Sequence, residues 1–125
     1  MKTIINSKNA PAPIGPYSQA VLAGNTLFAS GQIAINPATG ELEMASIEIE
    51  TEQVMQNIKA VLEETNMSFE NIVKCSIFLS RMDSFSKVNE VYGKYFSSNP
   101  PARETVEVSC LPKNVNVEIS FIAIK

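Results

Sequence analysis

The sequence predicts an α+β fold in which two helices cover one face of a mostly antiparallel sheet. Short runs rich in Val, Ile and Phe are separated by turn residues, which is typical of strands. Two longer segments repeat their apolar residues three and four positions apart, which is typical of amphipathic helices. These segments follow one another as strand-strand-helix-strand-helix-strand-strand, and no linker or repeat interrupts the 125 residues. We therefore expect one domain over residues 1–125.

The N-terminal elements are predicted to be an ordered loop and a β-hairpin. Three of the seven prolines lie in residues 9–16, which favours an extended loop. Gly24-Asn25 separates the runs 17–23 and 26–35 and suits a two-residue turn with positive φ at its centre. The two runs are therefore expected to pair as neighbouring strands.

A regular hairpin brings a polar cluster together at its open end. In that register Tyr17 faces Gln32, and Ser30 and Gly31 lie close by. The sequence thus places a phenol beside a Ser-Gly-Gln run.

The rest of the chain predicts two helices and three strands after a turn at residues 36–40. Between residues 48 and 66, one helical stripe consists of Val54, Ile58, Val61 and Leu62. The later elements are a strand over 72–80, a helix that Asp83 or Ser84 caps and Pro100-Pro101 ends, and strands over 103–111 and 115–124.

The sheet is expected to have a second apolar face. Val, Ile and Phe occupy both alternating positions of the strands, most plainly in residues 117–124, whereas two helices cover only one face. A protein with such a face hides it against another surface. We therefore expect a homo-oligomer.

The composition excludes several classes of function. The chain has no histidine, which removes His-ligated metal sites and the Ser-His and Cys-His relays. A net charge of −3 argues against a nucleic-acid partner. Neither a signal-peptide core nor an apolar run of ~20 residues is present, so we expect no membrane partner and a cytoplasmic location. Cys75 and Cys110 are predicted to be reduced, small buried hydrophobes.

Arg103 and Glu118 are the first candidates for chemistry. Glu118 lies among apolar residues of a predicted central strand, where an unpaired carboxylate is costly. The pattern fits a structural Arg103–Glu118 ion pair and a functional site equally well. If the last two strands form a simple hairpin, Glu118 opposes Val108, roughly 16 Å along the strand from Arg103. Either these strands are not partners, or Arg103 meets a Glu118 of another subunit.

Several motifs, in their order and spacing, resemble the YjgF/YER057c/UK114 family, also called the RidA family of enamine/imine deaminases. They are Ala12–Ala20, Ala29–Ile33, Asn36–Leu42, Gln56–Lys59, Val88-Asn89, Pro101–Arg103, Leu111–Lys113 and Val117–Ile119. The resemblance covers nearly the whole chain. It implies a chorismate-mutase-like α+β subunit that assembles as a homotrimer, with pockets in the clefts between subunits.

The resemblance also implies hydrolysis of small 2-imino acids, such as 2-iminobutanoate and 2-iminopropanoate, without a metal or cofactor. Arg103 matches the family's carboxylate-binding arginine, and the backbone N–H of Thr105 lies beside it. Glu118 matches the glutamate that positions water and shuttles protons. Tyr17 matches the tyrosine that holds water or substrate, the alternative being an aromatic residue packed on the subunit seam.

Three more positions are implied in substrate binding. Gly31, with Ser30 beside it, offers backbone polar groups and allows close approach. Asn89 matches the family's helix asparagine, for which a structural role fits equally well.

Two positions depart from the family pattern. Thr105 stands where many relatives have cysteine, and with no histidine to activate it we assign it no nucleophilic role. Ser120 stands where relatives often have a second glutamate. Glu118 is therefore the single acid–base candidate.

Other interpretations stay open at this point. A small-carboxylate sensor or a chaperone-like trimer without turnover also needs Arg103, but does not need Glu118. An enzyme with narrow specificity for another imine or enamine would keep Arg103 and change the pocket wall. A ribonuclease is disfavoured by the net acidity and the lack of histidine.

Overall fold

The computed structural model describes residues 1–125 and has the predicted α+β architecture. The strands are β1 (Lys2–Ile5), β2 (Ala20–Ala23), β3 (Thr26–Gln32), β4 (Ile72–Leu79), β5 (Ala102–Glu107) and β6 (Val117–Ile124). The helices are α1 (Ile47–Glu63) and α2 (Phe85–Gly93), with short 3-10 helices at Phe69–Asn71, Met82–Ser84 and Pro112–Asn114. One six-stranded sheet has the order β1-β2-β3-β6-β4-β5, and only β4 and β5 run parallel.

The N-terminal hairpin has the predicted register over a shorter length. Ala20 pairs with Ala29, and Gly24 in the turn has φ of +61°. Tyr17 does not face Gln32, because β2 begins only at Ala20 and the chain before it is a loop. The register of β3 shifts between Ala29 and Gln32, and Gln32 pairs with β6 instead. An edge strand that the sequence did not predict, β1, pairs with β2.

The second helix is shorter than predicted. It begins after Ser84, whose side chain makes no capping hydrogen bond, and it ends at Gly93, well before Pro100. The backbone N–H groups of Lys94, Tyr95 and Phe96 bond three residues back, which tightens the chain into a turn beyond the helix. The first helix is close to its prediction, and the Ser46 hydroxyl caps it by accepting from Ile49 N–H.

The last two strands are not partners. β4 lies between them, paired antiparallel with β6 and parallel with β5. Because α2 connects β4 to β5, the chain returns to the same end of the sheet, as a parallel pair requires. The predicted hairpin of the last two strands is therefore wrong, and Glu118 does not oppose Val108.

The core lies between the helices and one face of the sheet. Side chains of α1 such as Ile58 and Val61 pack in one cluster with Ile119 and Phe121 of β6, all at most 2% exposed. Alternate residues of β6 point to the opposite face, which no helix covers.

The uncovered face contains exposed apolar side chains. Ile4, Phe28, Val106 and Ile124 are between 41% and 52% exposed. A homo-oligomer that covers this face stays a prediction.

The two cysteines differ. Cys75 on β4 is buried, as predicted, but the prediction for Cys110 is wrong, since its side chain is exposed. Cys110 lies in the segment after β5 ends, where no helix packs over the chain. Neither helix is long and apolar enough to cross a membrane.

Candidate functional site

A cavity of about 510 Å³ lies where the N-terminal loop meets the start of β6. Its lining combines an apolar wall with a few polar groups: Pro11, Ala12, Ile14, Tyr17, Gln19, Ser30, Gly31, Gln32, Ile33, Ile35, Pro112, Lys113 and Glu118. We call this cavity the Glu118 pocket. The predicted neighbours Tyr17, Ser30 and Gly31 therefore do share one site, although Tyr17 reaches it from a loop.

Glu118 is the only carboxyl among the residues that line this pocket. It lies on β6 between Val117 and Ile119, whose side chains are buried toward the helices, so the Glu118 carboxyl points to the uncovered face. Burial alone raises the pKa of the Glu118 carboxyl. A half-buried carboxyl of this kind, without an ion-pair partner, can accept and return a proton nearer neutral pH than an exposed glutamate can.

Gly31 is required by the position of Glu118. A Cβ atom built on Gly31 would lie 2.8 Å from Cγ and 2.6 Å from Cδ of Glu118. A side chain at position 31 would therefore displace the Glu118 carboxyl, which in the structure packs directly against the backbone of β3. The group that approaches Gly31 closely in the structure is the Glu118 side chain. Substrate binding at Gly31 stays a prediction.

Tyr17 and Ser30 line the pocket in different ways. The Tyr17 ring is 51% exposed, and its hydroxyl accepts a hydrogen bond from Ile14 N–H at 3.3 Å. The Ser30 hydroxyl donates to the carbonyl of Ser18 at 2.6 Å. The phenol therefore keeps its own proton free to donate, whereas the Ser30 hydroxyl proton already has an acceptor.

Arg103 lies on the other side of the sheet. It pairs in register with Cys75, which pairs with Phe121, and these residues face the helices. Its guanidinium lies 5.0 Å from the ring centroid of Tyr92 and 5.6 Å from that of Phe85. These contacts leave the side chain half-buried at the protein surface.

A hydrogen bond to Asn89 fixes the orientation of the Arg103 guanidinium. Asn89 Oδ1 accepts this hydrogen bond from Arg103 Nη1 at 2.7 Å. Asn89, Tyr92 and Arg103 share a cleft of about 480 Å³ with Phe96 and Pro101. We call it the Arg103 cleft. Because Asn89 takes only one of the five guanidinium N–H donors, others stay available to a carboxylate.

Thr105 lies two residues after Arg103 on β5, so the two side chains share one face of the sheet. The Thr105 hydroxyl oxygen is buried and has no hydrogen-bond partner. Next to Arg103, the Cys75 thiol and the Tyr92 hydroxyl are neighbours, and burial raises the pKa of both groups. The Cys75 thiol and the Tyr92 hydroxyl therefore stay protonated near neutral pH, and neither has the ionised form that a nucleophile needs.

The structure separates the predicted site residues into two groups. Tyr17, Ser30, Gly31 and Glu118 lie at the Glu118 pocket, and Arg103 and Asn89 lie at the Arg103 cleft. Arg103 and Glu118 do not form an ion pair within one chain, because the two side chains lie on opposite faces of the sheet and on strands that are not neighbours. A contact between Arg103 and Glu118 of another subunit stays a prediction.

Glu104 points away from the Arg103 cleft, because it alternates with Arg103 along β5. Its carboxylate forms a salt bridge of 3.0 Å with Lys74 and accepts a hydrogen bond from the Ser76 hydroxyl. The Ser76 bond and then the Lys74 ammonium lower the pKa of Glu104. This carboxylate is exposed and already bonded to Ser76 and Lys74, and its lowered pKa makes it a weaker base than Glu118.

Sequence reasoning missed two polar residues beside the pocket. Gln19 is buried and bonds to the loop that carries Tyr17. Lys113 lines the pocket from a left-handed backbone conformation, φ +55°, next to Asn114, φ +56°. The only available signal for Lys113 was the Pro-Lys-Asn run, because asparagine tolerates that conformation better than most residues.

A buried carboxylate, Glu50, was also missed. It is 0% exposed on α1 and accepts from Asn116 N–H at 2.7 Å, Val117 N–H at 3.0 Å and Asn116 Nδ2 at 2.9 Å. These bonds fix the start of β6, two residues before Glu118. No local pattern predicts this contact, because it joins residues 66 positions apart.

Comparisons with known proteins cover the whole chain. The family model described as Endoribonuclease L-PSP matches residues 7–125. A RutC family protein of Pyrococcus horikoshii is 52% identical over 125 residues, which is 100% of this chain and 99% of that protein.

Solved structures are similar at the same level. A Yersinia pestis protein, YyfA, of the conserved Rid protein family is 49% identical with a TM-score of 0.97, and all of both chains is covered. Escherichia coli TdcF with bound serine is 36% identical with a TM-score of 0.94 over 98% of both chains.

Proposed function

The chain belongs to the family described as Endoribonuclease L-PSP, which includes the RutC, Rid and YjgF proteins, and from this premise we propose that it is an enamine/imine deaminase. Its proposed substrates are small 2-imino acids such as 2-iminobutanoate and 2-iminopropanoate, and its products are 2-oxo acids and ammonia. The observation that carries the proposal is Glu118, a half-buried carboxyl with a raised pKa in a pocket that it shares with the Tyr17 phenol.

In this proposal Arg103 binds the substrate carboxylate. A guanidinium is permanently charged and presents parallel N–H groups that match both carboxylate oxygens. Phe85, Tyr92 and Asn89 hold it in one direction before the substrate arrives. Each charge-assisted bond contributes about 1.5–3 kcal/mol, so most of the affinity depends on this residue.

Glu118 carries the proton transfers. Its carboxylate takes a proton from a water molecule as the water oxygen bonds to C2 of the protonated imine. The resulting carbinolamine receives that proton on nitrogen, the C–N bond breaks with its electron pair going to nitrogen, and ammonia leaves. The C2 hydroxyl then gives its proton to the Glu118 carboxylate, which passes it to the departing ammonia, so the products are the 2-oxo acid and ammonium and Glu118 is again ionised.

Tyr17 orients the water in this scheme, and no other catalytic group is needed. Its O–H remains free to donate, since Ile14 N–H occupies only an acceptor site on the oxygen. The imine carbon is already electrophilic when its nitrogen is protonated, so a positioned water and one proton carrier suffice.

The complete site lies between two copies of the chain. Within one protomer the sheet itself separates Arg103 from Glu118. If the uncovered apolar face packs against neighbours in a homotrimer, the Arg103 cleft of one protomer can face the Glu118 pocket of the next. Each substrate then touches two subunits.

A binding protein without turnover is the second candidate, favoured by one observation. TdcF of Escherichia coli, a relative that covers 98% of this chain, has a structure with bound serine, a small carboxylate. Arg103 would serve such a function equally well. Glu118 distinguishes the two candidates, since only an enzyme needs it.

A trapping assay tests the proposal. Threonine dehydratase generates 2-iminobutanoate, semicarbazide traps it, and the protein competes with the trap. We expect wild-type protein to reduce the trapped product, Arg103→Ala to lose most of this effect, and Glu118→Gln to lose it about 10²-fold or more while still binding 2-oxobutanoate. Glu70→Gln, at an exposed carboxyl that lines neither cavity, is the control. Unchanged trapping, with wild-type protein and Arg103→Ala alike, would contradict hydrolysis of 2-iminobutanoate and favour the binding function instead.

A further inference from the structure

We propose that Gln19 is a positioning residue, whose buried amide holds the wall of the Glu118 pocket that carries Tyr17. This inference rests on the proposed function and identifies a residue that supports it without touching the reacting atoms. Gln19 immediately precedes β2 and is 2% exposed. A buried primary amide is stable only if its donors and acceptor are satisfied, so its partners reveal what it holds.

The Gln19 side chain makes four hydrogen bonds to the backbone of one loop. Its Oε1 accepts from Ser7 N–H at 2.6 Å. Its Nε2 donates to the carbonyls of Ser7 at 3.0 Å, Pro11 at 2.8 Å and Ala10 at 3.3 Å. The amide has two hydrogens for these three carbonyls, so one hydrogen is shared. These bonds hold the loop on both sides of residues 8 and 9, at Ser7 before them and at Ala10 and Pro11 after them.

The backbone around Gln19 is fastened to β3 on its other side. Ser30 N–H donates to the Gln19 carbonyl at 2.9 Å, and the Ser30 hydroxyl donates to Ser18 at 2.6 Å. Gln19 therefore connects residues 7–11 to β3, the strand that carries Gly31. The Ser30 hydroxyl contributes to the same connection, which gives it a structural role beside the pocket.

The pocket wall beyond Pro11 has few other anchors. Residues 12–17 are exposed apart from Pro13, and their internal bonds are Tyr17 N–H to Gly15 O at 2.9 Å and Ile14 N–H to the Tyr17 hydroxyl. This segment runs from Pro11, which the amide holds, to Tyr17, which is two residues from Gln19 in the chain. Both ends of the wall therefore depend on Gln19.

The substitution Gln19→Glu tests the inference because it preserves the shape of the side chain. A glutamate carboxylate cannot donate, and the oxygen that replaces Nε2 lies against three carbonyl oxygens, while the other oxygen can still accept from Ser7 N–H. Asn71→Asp is the matched control: Asn71 Nδ2 donates to the carbonyl of Ile124 at 3.0 Å, at the far end of β6 from Glu118. Gln19→Met, which removes the same bonds without adding charge, replaces Gln19→Glu if that variant does not fold.

Three measurements are made on each variant: kcat and KM for imine hydrolysis, calorimetric binding of 2-oxobutanoate, and amide hydrogen exchange by mass spectrometry. For Gln19→Glu we expect kcat to fall at least about tenfold, with the binding stoichiometry unchanged, because the Arg103 cleft is intact. Exchange should accelerate in residues 7–17 and stay unchanged in the rest of the sheet. Asn71→Asp should match wild-type protein in kcat, KM and binding.

The opposite results are equally specific. Unchanged kcat with unchanged exchange in residues 7–17 overturns the inference. Faster exchange throughout the sheet, or a binding stoichiometry that falls with kcat, means general unfolding and also overturns it. If wild-type protein hydrolyses no imine, the proposed function fails; local loosening of residues 7–17 then still supports a wall-holding role for Gln19, and its absence overturns that role.

Discussion

The two sides of the sheet present opposite kinds of chemistry. On the helix side, Arg103 is a permanent cation, held by two aromatic rings and the Asn89 amide. On the other side, Glu118 is a titratable group whose pKa is raised by burial. Part of the wall of its pocket is the N-terminal loop. A fixed cation is suited to binding an anion, and an unpaired carboxyl is suited to moving a proton. Neither side alone contains both functions.

Two carboxylates of the same region show why Glu118, and not Glu50, is available for the proposed proton transfers. Glu50 is completely buried but accepts three hydrogen bonds, so its oxygens are occupied. Glu118 is only half-buried, and burial is the sole influence on its pKa. The first carboxylate stabilises the start of β6, and the second is left available at the pocket.

The largest effect on the Glu118 side is expected from Gly31→Ala. The added methyl group occupies space now taken by the Glu118 carboxyl, which must turn away from the pocket. We expect kcat for imine hydrolysis to fall about 10²-fold with little change in the binding of 2-oxobutanoate, since displacing a catalytic group costs this much.

Gly24→Ala provides the contrast. It strains a turn with positive φ but meets no atom within 4 Å. It should lower the free energy of unfolding by about 1 kcal/mol and leave kcat unchanged. Equal losses of kcat in both variants would show that the Gly31 effect is not specific to Glu118.

The next effect concerns Glu50→Gln. The amide group cannot accept from the Asn116 side chain and from both backbone N–H groups at once, so one buried polar group loses its partner. We expect a loss of about 2 kcal/mol in the free energy of unfolding, measured in guanidinium. Pairing Glu50→Gln with Asn116→Asp restores a donor and an acceptor, and should recover part of the loss. No loss in the single variant would contradict the role assigned to Glu50.

On the Arg103 side, Asn89→Ala should weaken substrate binding without affecting proton transfer. The substitution frees the Arg103 guanidinium to rotate. We expect KM to rise about tenfold, which is the order of effect of one lost charge-assisted hydrogen bond, while kcat stays within twofold of wild type. Ser86→Ala, an exposed position of the same helix, is the control. A fall in kcat with unchanged KM would instead place Asn89 in the chemical step.

The smallest effect is the pH dependence of stability from Glu118. Its pKa is raised, so the native protein holds this proton more tightly than the unfolded chain does, and ionisation of Glu118 destabilises the fold. Stability from this group is therefore lost as pH rises from the ordinary carboxyl pKa through the raised one.

Glu118→Gln should remove this dependence. Because the group is half exposed, we expect the variant to be more stable than wild type at pH 8 by less than about 1 kcal/mol, and equally stable near pH 4. Denaturant titrations at the two pH values measure this difference. A variant that is less stable at pH 8 would indicate that the carboxylate makes a stabilising bond.

The sequence was sufficient to predict elements with strong local patterns. The stripe of α1, the Gly24 turn and the pairing of Ala20 with Ala29 all depend on residues close in the chain. For the same reason, the sequence could predict that Tyr17, Ser30 and Gly31 share one site. The predicted strand over residues 17–23 was nevertheless too long, because β2 begins only at Ala20.

The relation between Arg103 and Glu118 could not be predicted from local patterns. It depends on β4 entering between β5 and β6, and on the parallel direction of β5, which only the complete sheet fixes. The bonds of Glu50 to Asn116 and of Gln19 to Ser7 likewise join distant residues. Alternation along one strand gives the relative faces of its own residues, but not those of residues on separate strands.

The central claim is that Arg103 and Glu118 act together only between protomers. Arg103→Ala and Glu118→Gln proteins, each inactive alone, are mixed, unfolded in denaturant and refolded together, and imine hydrolysis is measured. Random mixing gives one interface in four with both residues intact, so we expect roughly a quarter of wild-type turnover per site. A mixture as inactive as its two components would contradict a shared site and, with it, the proposed division of roles between the two sides of the sheet.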